Sequence, residues 1–213
     1  MQIEIKGHKI EYFVEKIGMI PARYESLSSF RKHKADAITN PAVKAQSISA
    51  GYLLESKLAE RGVYPDVNCH YVTGEFGKPE LEPYSVPDEG SSGAVESEDI
   101  MLPYFSIAHT RSYAAVAIAD VPVGIDIEEI MGDETWQKRR RLLDSRYFSD
   151  EERRSCLTSE NEQETFLMLW TQKEAYAKCH GLSVEQVLLD HTVIDEAGTF
   201  STADGGYVLS VYA

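Results

Sequence analysis

Cysteine is scarce here: Cys69, Cys156 and Cys179 are the only thiols in 213 residues. An odd count without a Cys-x-x-Cys pair argues against a disulfide framework or a cysteine zinc site, and fits reduced thiols with no catalytic part. Positive charge is also short, with 21 Lys and Arg against 35 Asp and Glu, a formal charge of −14. Such a chain lacks the basic surface that neutralises nucleic-acid phosphates, so no nucleic-acid partner is expected. No apolar run approaches the roughly 18 to 20 residues needed to span a bilayer. The opening MQIEIKGHKIEYF alternates like a strand and lacks the apolar core of a signal peptide. A cytoplasmic protein with no membrane partner is therefore expected.

Apolar residues make up 43% of the chain, enough for a sizeable core in one large domain or two small halves. The first 20 residues read as strands, and Ile38 to Arg61 as a helix that opens near Pro41 and closes at Gly62. Val67 to Val72 reads as a short strand before the turn Gly74-Glu75-Phe76-Gly77-Lys78-Pro79. Residues 83–103, rich in Pro, Gly, Ser and acid, read as a linker. Tyr104 to Ile107 and Tyr113 to Ala119 have strand character. Helical composition follows over Thr135 to Arg146, Asp150 to Leu157 and Gln163 to Cys179, the last stopped by Gly181. Thr192 to Asp195 and Tyr207 to Tyr212 are expected to close the chain as strands. The expected fold is α+β, two similar α/β lobes in one chain related by a pseudo-twofold, each a small antiparallel sheet packed with helices. Residues 1–103, with the acidic linker 83–103, would form the first lobe and 104–213 the second, with a ligand cleft between them.

Two short stretches carry the chemistry. In Val123-Gly124-Ile125-Asp126-Ile127-Glu128 apolar and acidic residues alternate, so a strand puts Asp126 and Glu128 on one face and Ile125 and Ile127 on the other. Trp170-Thr171-Gln172-Lys173-Glu174-Ala175-Tyr176-Ala177-Lys178, 42 positions beyond Glu128, reads as a helix on which Glu174 and Lys178 share a face. Three carboxylates and a lysine suit a hard divalent cation such as Mg2+ beside a phosphate. Each motif alone has an ordinary explanation, an edge strand with its acids in water or a solvated i,i+4 ion pair. Two basic clusters, Arg31-Lys32-His33-Lys34 and Lys138-Arg139-Arg140-Arg141, with Arg146, Arg153 and Arg154 beyond, are either solvated helix faces or patches that steer an anionic ligand or acidic partner.

Taken together the motifs resemble the 4'-phosphopantetheinyl transferases, of the type acting on nonribosomal peptide synthetases as well as acyl carrier proteins. Such chains pair a (Val/Ile)-Gly-(Ile/Val)-Asp-(Ile/Val)-Glu strand with a (Trp/Phe)-(Ser/Thr/Cys)-x-Lys-Glu-(Ala/Ser)-x-x-Lys helix about 40 residues later, and both are matched here. Gly77-Lys78-Pro79, Phe105-Ser106-Ile107-Ala108-His109-Thr110, Phe148-Ser149-Asp150-Glu151-Glu152 and, more loosely, Lys44 to Leu54 extend the likeness over most of residues 30–182.

The resemblance implies an Mg2+-dependent holo-carrier-protein synthase. Coenzyme A would bind in the cleft and its 4'-phosphopantetheine would pass to a serine of an apo acyl or peptidyl carrier protein, releasing adenosine 3',5'-bisphosphate. It implies Asp126, Glu128 and Glu174 as metal ligands and Glu174 and Lys178 as the catalytic pair, Lys178 on the pyrophosphate. Either Glu174 or a water on the metal would take the serine proton. Lys78 and His109 would face phosphates, and Arg31, Lys34 or Lys44 the ribose 3'-phosphate. Ala108 stands where many relatives carry a phosphate-binding hydroxyl, a role that Ser106 or Thr110 could fill. Lys138 to Arg141 is expected to help dock the carrier, and the enzyme to be a monomer. The rival readings are a non-catalytic relative that binds coenzyme A or a carrier, and a metal-dependent phosphohydrolase.

Overall fold

The computed structural model describes residues 1–18, 21–74, 77–84, 101–190, 192–193 and 197–213. Strands β1 (Gln2–Ile5) and β2 (His8–Lys16) are joined by Lys6 and Gly7, both at positive φ (50° and 82°). Positive φ at both positions of a two-residue loop matches its twist to that of paired strands. β2 then pairs antiparallel with β6 (Tyr113–Ala119), Ile10 opposite Ala119 and Lys16 opposite Tyr113. On its other edge β6 pairs with β5 (Tyr104–His109). The resulting sheet, in order β1-β2-β6-β5, draws strands from both sides of residue 103, where the lobe boundary was expected. A pairing between strands so far apart in sequence leaves no local signal.

Three helices follow the first hairpin: α1 (Pro21–Glu25), α2 (Ser29–Asp36) and α3 (Pro41–Ala59). The Asn40 side chain accepts from the backbone N–H groups of Ala42 and Val43, and Pro41 occupies the first turn, where its missing N–H costs nothing. Leu54 and Leu58 of α3 pack with Phe105, Val116 and Ile118 against the four-stranded sheet. β3 (Cys69–Thr73) and β4 (Pro79–Pro83) form a separate hairpin. β4 overlaps the expected turn only at Pro79 and the expected linker only at Pro83, and its two prolines suit the edge it forms. Residues 85–100 of the expected linker lie outside the described residues.

The remainder builds the second sheet. β7 (Gly124–Glu129) is followed by α4 (Asp133–Arg139), a 3-10 turn over Arg140–Asp144, α5 (Asp150–Thr158), α6 (Glu162–His180) and α7 (Val184–Asp190), then β8 (Thr199–Asp204) and β9 (Tyr207–Tyr212). The sheet order is β7-β9-β8. The strand expected over Thr192 to Asp195 is not formed at Thr192 and Val193, and the last two residues lie outside the described ones. β9 pairs with β7 on one edge and with β8 on the other, the β8–β9 turn lying at Gly205 and Gly206, both at positive φ. Gly181 ends α6 in the left-handed conformation, where its N–H bonds Ala177 O.

The core lies between the two sheets, where Ile10, Tyr12, Ala115 and Ala117 meet Ile125, Ile127, Leu209 and Val211. Ser106 Oγ bridges them by accepting from Ile125 N at 3.1 Å. The fold is mixed α+β with antiparallel sheets and, among the described residues, seven α-helices. No described helix is long and apolar enough to cross a membrane.

Candidate metal centre

Along β7 the alternation falls as the sequence dictates. Ile125 and Ile127 enter the core between the sheets, while Asp126 and Glu128 point the other way, with Asp126 only 5% exposed. A carboxylate buried this deeply requires charged or hydrogen-bonding company, and α6 supplies it. A Cβ on Gly124 would stand 1.8 Å from Ala175 O and 2.7 Å from Cys179 N, so only glycine lets the helix lie on the strand. One helical turn of α6 then presents Glu174 and Lys178 to Asp126. One carboxylate oxygen each from Asp126, Glu128 and Glu174 lies within 4.8 Å of the others. Three convergent hard oxygen donors fit Mg2+ or Mn2+, which take a few carboxylates and complete their shells with water or phosphate oxygens.

Two cations and an indole hold the acids in place. Lys178 Nζ lies 2.7 Å from Asp126 Oδ1 and 3.8 Å from Glu174 Oε2, and donates to Ile125 O at 3.2 Å. Trp170 Nε1 donates to Glu174 Oε1 at 3.0 Å. Arg139 Nη2 and Nη1 donate to the two oxygens of Glu128 at 2.6 and 2.9 Å. Burial, joined by the nearby charges of Glu174 and Glu128, pushes the Asp126 carboxyl up to about 7 despite Lys178. Lys178 is pulled down by burial but raised on balance by Asp126 and Glu174. The two shifts pull against each other, because Lys178 is raised only so far as its acids are ionised. What both describe is carboxylate crowding, which a divalent cation relieves.

A cavity of about 240 Å³ opens beside Lys178, walled by Lys78, Phe105, Ile107, Leu182 and Val184 among others. Lys78 Nζ donates to Val123 O at 3.1 Å, so both lysines reach carbonyls at the start of the acidic strand. Burial lowers the Lys78 pKa. His109, exposed at the end of β5, has its pKa lowered by desolvation and then by the positive charge of Lys178.

Residues 122–207 match the family profile of the 4'-phosphopantetheinyl transferase superfamily. Within that segment the chain resembles this superfamily. It is 28% identical over 136 residues to a 4'-phosphopantetheinyl transferase of Bacillus pumilus, across 63% of this chain and 55% of that protein. It is 25% identical over 169 residues, 78% of this chain and 61% of the other, to a protein of Synechocystis sp. provisionally named as the same kind of transferase. The matched stretches thus span little more than half the length of these curated relatives. The family segment holds all three acids, Lys178 and Arg139, and leaves Lys78, His109 and the basic residues of α2 outside it.

The basic residues of α2 and α3 expected at the 3'-phosphate fall in places the sequence did not foretell. Arg31 is 4% exposed, lying against the Tyr71 ring at 5.0 Å with its Nε and Nη2 unpartnered. It is a core residue, not a surface contact for phosphate. Lys34 stays half-buried over the Phe30 ring, its pKa lowered by burial and by Arg31. Lys44 pairs with Asp36 at 2.8 Å. Among the described residues no hydrogen bond or ion pair joins these three to the acidic centre. Of the two hydroxyls expected to replace the one missing at Ala108, Thr110 Oγ1 donates its proton to Glu129 at 2.7 Å, whereas Ser106 Oγ accepts from Ile125 N and keeps its own proton.

The run Lys138 to Arg141 is not one patch. Lys138 pairs with Glu134, Arg139 with Glu128 and Arg140 with Glu162, while Arg141 is exposed. Successive helical residues point about 100° apart, a signal present in the sequence that separates these four bases. Lys173, next to Glu174, turns inward to pair with Glu152 at 2.9 Å, the two side chains 2% and 0% exposed.

Proposed function

We propose that this chain transfers the 4'-phosphopantetheine group of coenzyme A to a serine hydroxyl of an apo acyl or peptidyl carrier protein, with Mg2+ held by Asp126, Glu128 and Glu174. The observation that carries this reading is the convergence of those carboxylates with Lys178 at the wall of a cavity that also holds Lys78. When bound, the cation supplies neutralisation of charge at the attacked phosphorus. Lys178 and Lys78 orient the anionic pyrophosphate. His109, its pKa lowered, serves as a neutral hydrogen-bond donor to phosphate near pH 7. The serine oxygen forms a bond to the phosphorus that carries pantetheine, and the pyrophosphate bridge bond breaks. Adenosine 3',5'-bisphosphate departs with the electron pair, its charge met by Lys178. For the serine proton we assign Glu174, whose Oε1 is held by Trp170 while Oε2 faces Lys178. Lys34 and Lys44 are assigned to the 3'-phosphate, and Arg31 is left out.

The wider reading is a cytoplasmic monomer that binds no nucleic acid and docks its carrier through the exposed Lys138, Arg141 and Arg146. The pseudo-twofold likeness of two lobes, 1–103 and 104–213, belongs to this proposal, with the four-stranded sheet crossing that division. Intact-mass spectrometry of an apo carrier incubated with the protein, coenzyme A and Mg2+ tests the function. The expected result is a gain of one phosphopantetheine, abolished by chelator and by Glu174→Gln. Coenzyme A binding without any gain on acyl and peptidyl carriers would instead establish a non-catalytic relative, and hydrolysis without a carrier a phosphohydrolase.

A further inference from the structure

We propose that Arg139 is a counter-cation built into the metal centre: it grips Glu128 while the centre is metal-free and must release it for a divalent cation to bind, so that this one side chain sets the metal affinity. The inference rests on the reading of Asp126, Glu128 and Glu174 as metal ligands.

The geometry is a fork. Two guanidinium nitrogens take both oxygens of Glu128 at 2.6 and 2.9 Å, and each side chain is 23% exposed, so the pair is largely withdrawn from water. Bidentate pairs of this kind are among the stronger hydrogen-bonded contacts and fix the plane of the carboxylate. A cation reaching the Glu128 oxygen that faces Asp126 and Glu174 meets the guanidinium there already.

Charge gives the same answer. Three ionised acids with Lys178 and Arg139 sum to −1, and a divalent cation would carry the group to +1, which favours withdrawal of one positive side chain. Lys178 is tied to Asp126, Glu174 and Ile125 O. Arg139 is freer, because its guanidinium carbon already lies 5.0 Å from the Trp170 ring centroid and 5.9 Å from that of Phe166. An aromatic face attracts a guanidinium, so the fork can open without loss of all its partners. Arg139 closes α4, and a side chain of that length can swing while the helix stays in place.

Titration of Mn2+ followed by loss of the free-ion EPR signal, on the full chain, decides the point. Arg139→Gln is expected to tighten Mn2+ binding by about fivefold or more, the size of an ordinary coupling between two ligands of one site. Arg139→Lys, which keeps the charge but loses the fork, should fall between wild type and Arg139→Gln and guards against a folding defect in the latter. In a Glu128→Gln background the gain from Arg139→Gln should vanish. Unchanged or weaker Mn2+ binding by both Arg139 variants with wild-type melting curves would overturn the proposal, as would a gain that persists without Glu128. If neither wild type nor any variant binds Mn2+, the metal reading itself fails and the proposal falls with it. Wild-type binding with no gain in the variants sinks the proposal alone.

Discussion

Gly124 lies so close beneath Ala175 that a Cβ on it would stand 1.8 Å from the Ala175 carbonyl oxygen. This contact between strand and helix sets the distance from Asp126 to Glu174 and Lys178. Gly124→Ala is expected to push α6 off β7. Because the obstruction is backbone, the cost should reach or exceed the roughly 1 to 3 kcal/mol of ordinary overpacking, and Mn2+ binding should be lost. Denaturant unfolding alongside Mn2+ titration checks both, and a variant with wild-type values in each would show that the contact does not position the site.

The neighbouring Lys173 and Glu174 should behave as opposites. Lys173 Nζ pairs with Glu152, which also accepts from Ser149 N and Val193 N in a site closed to water. Lys173→Met leaves that carboxylate buried and unpaired, and should destabilise the fold by about 3 to 5 kcal/mol. Mn2+ affinity of the folded fraction should stay unchanged. Glu174→Gln should do the reverse, with little loss of stability and a large loss of metal binding.

Metal binding should depend on pH through Asp126. Burial and the like charges of Glu174 and Glu128 raise its carboxyl from 3.8 to about 7, so below that pH a cation must expel a proton. Mn2+ affinity should fall as pH drops below about 7 and level off above it. For the metal-free fold the sign is opposite. A raised folded-state pKa contributes stability that is full at low pH and is lost as pH rises through about 7. Added Mg2+ should therefore raise the melting temperature more at about pH 8 than at about pH 5.5. Equal increments at both would argue against a protonated Asp126.

On the basic run, charge reversal at Arg141 and Lys138 should raise the KM for the carrier while leaving kcat within about twofold, as for charges at the rim of an interface. Arg140→Glu should act on stability instead, since Arg140 is spent on Glu162 at 2.8 Å. Steady-state kinetics with an apo carrier separates the two, and an unmoved KM for the Arg141 and Lys138 reversals would exclude this face from docking.

Much of the centre was legible because its rules are local. Period-two alternation put Asp126 and Glu128 together, a four-residue spacing put Glu174 and Lys178 together, and Gly181 marked the end of their helix. What escaped was long-range. The pairing of β2 with β6, Gly124 as the seat of α6 and the inward turn of Arg31 depend on which elements meet in space. The basic run misled for a different reason: it was read as a composition, although helical geometry separates its members and sends Arg139 to Glu128.

The most direct test of the central claim is 31P ENDOR on Mn2+ bound to the protein with coenzyme A. The account predicts phosphorus hyperfine coupling from pyrophosphate oxygens on the metal, abolished by Asp126→Asn. Bound Mn2+ without phosphorus coupling, or coupling that survives Asp126→Asn unchanged, would contradict it.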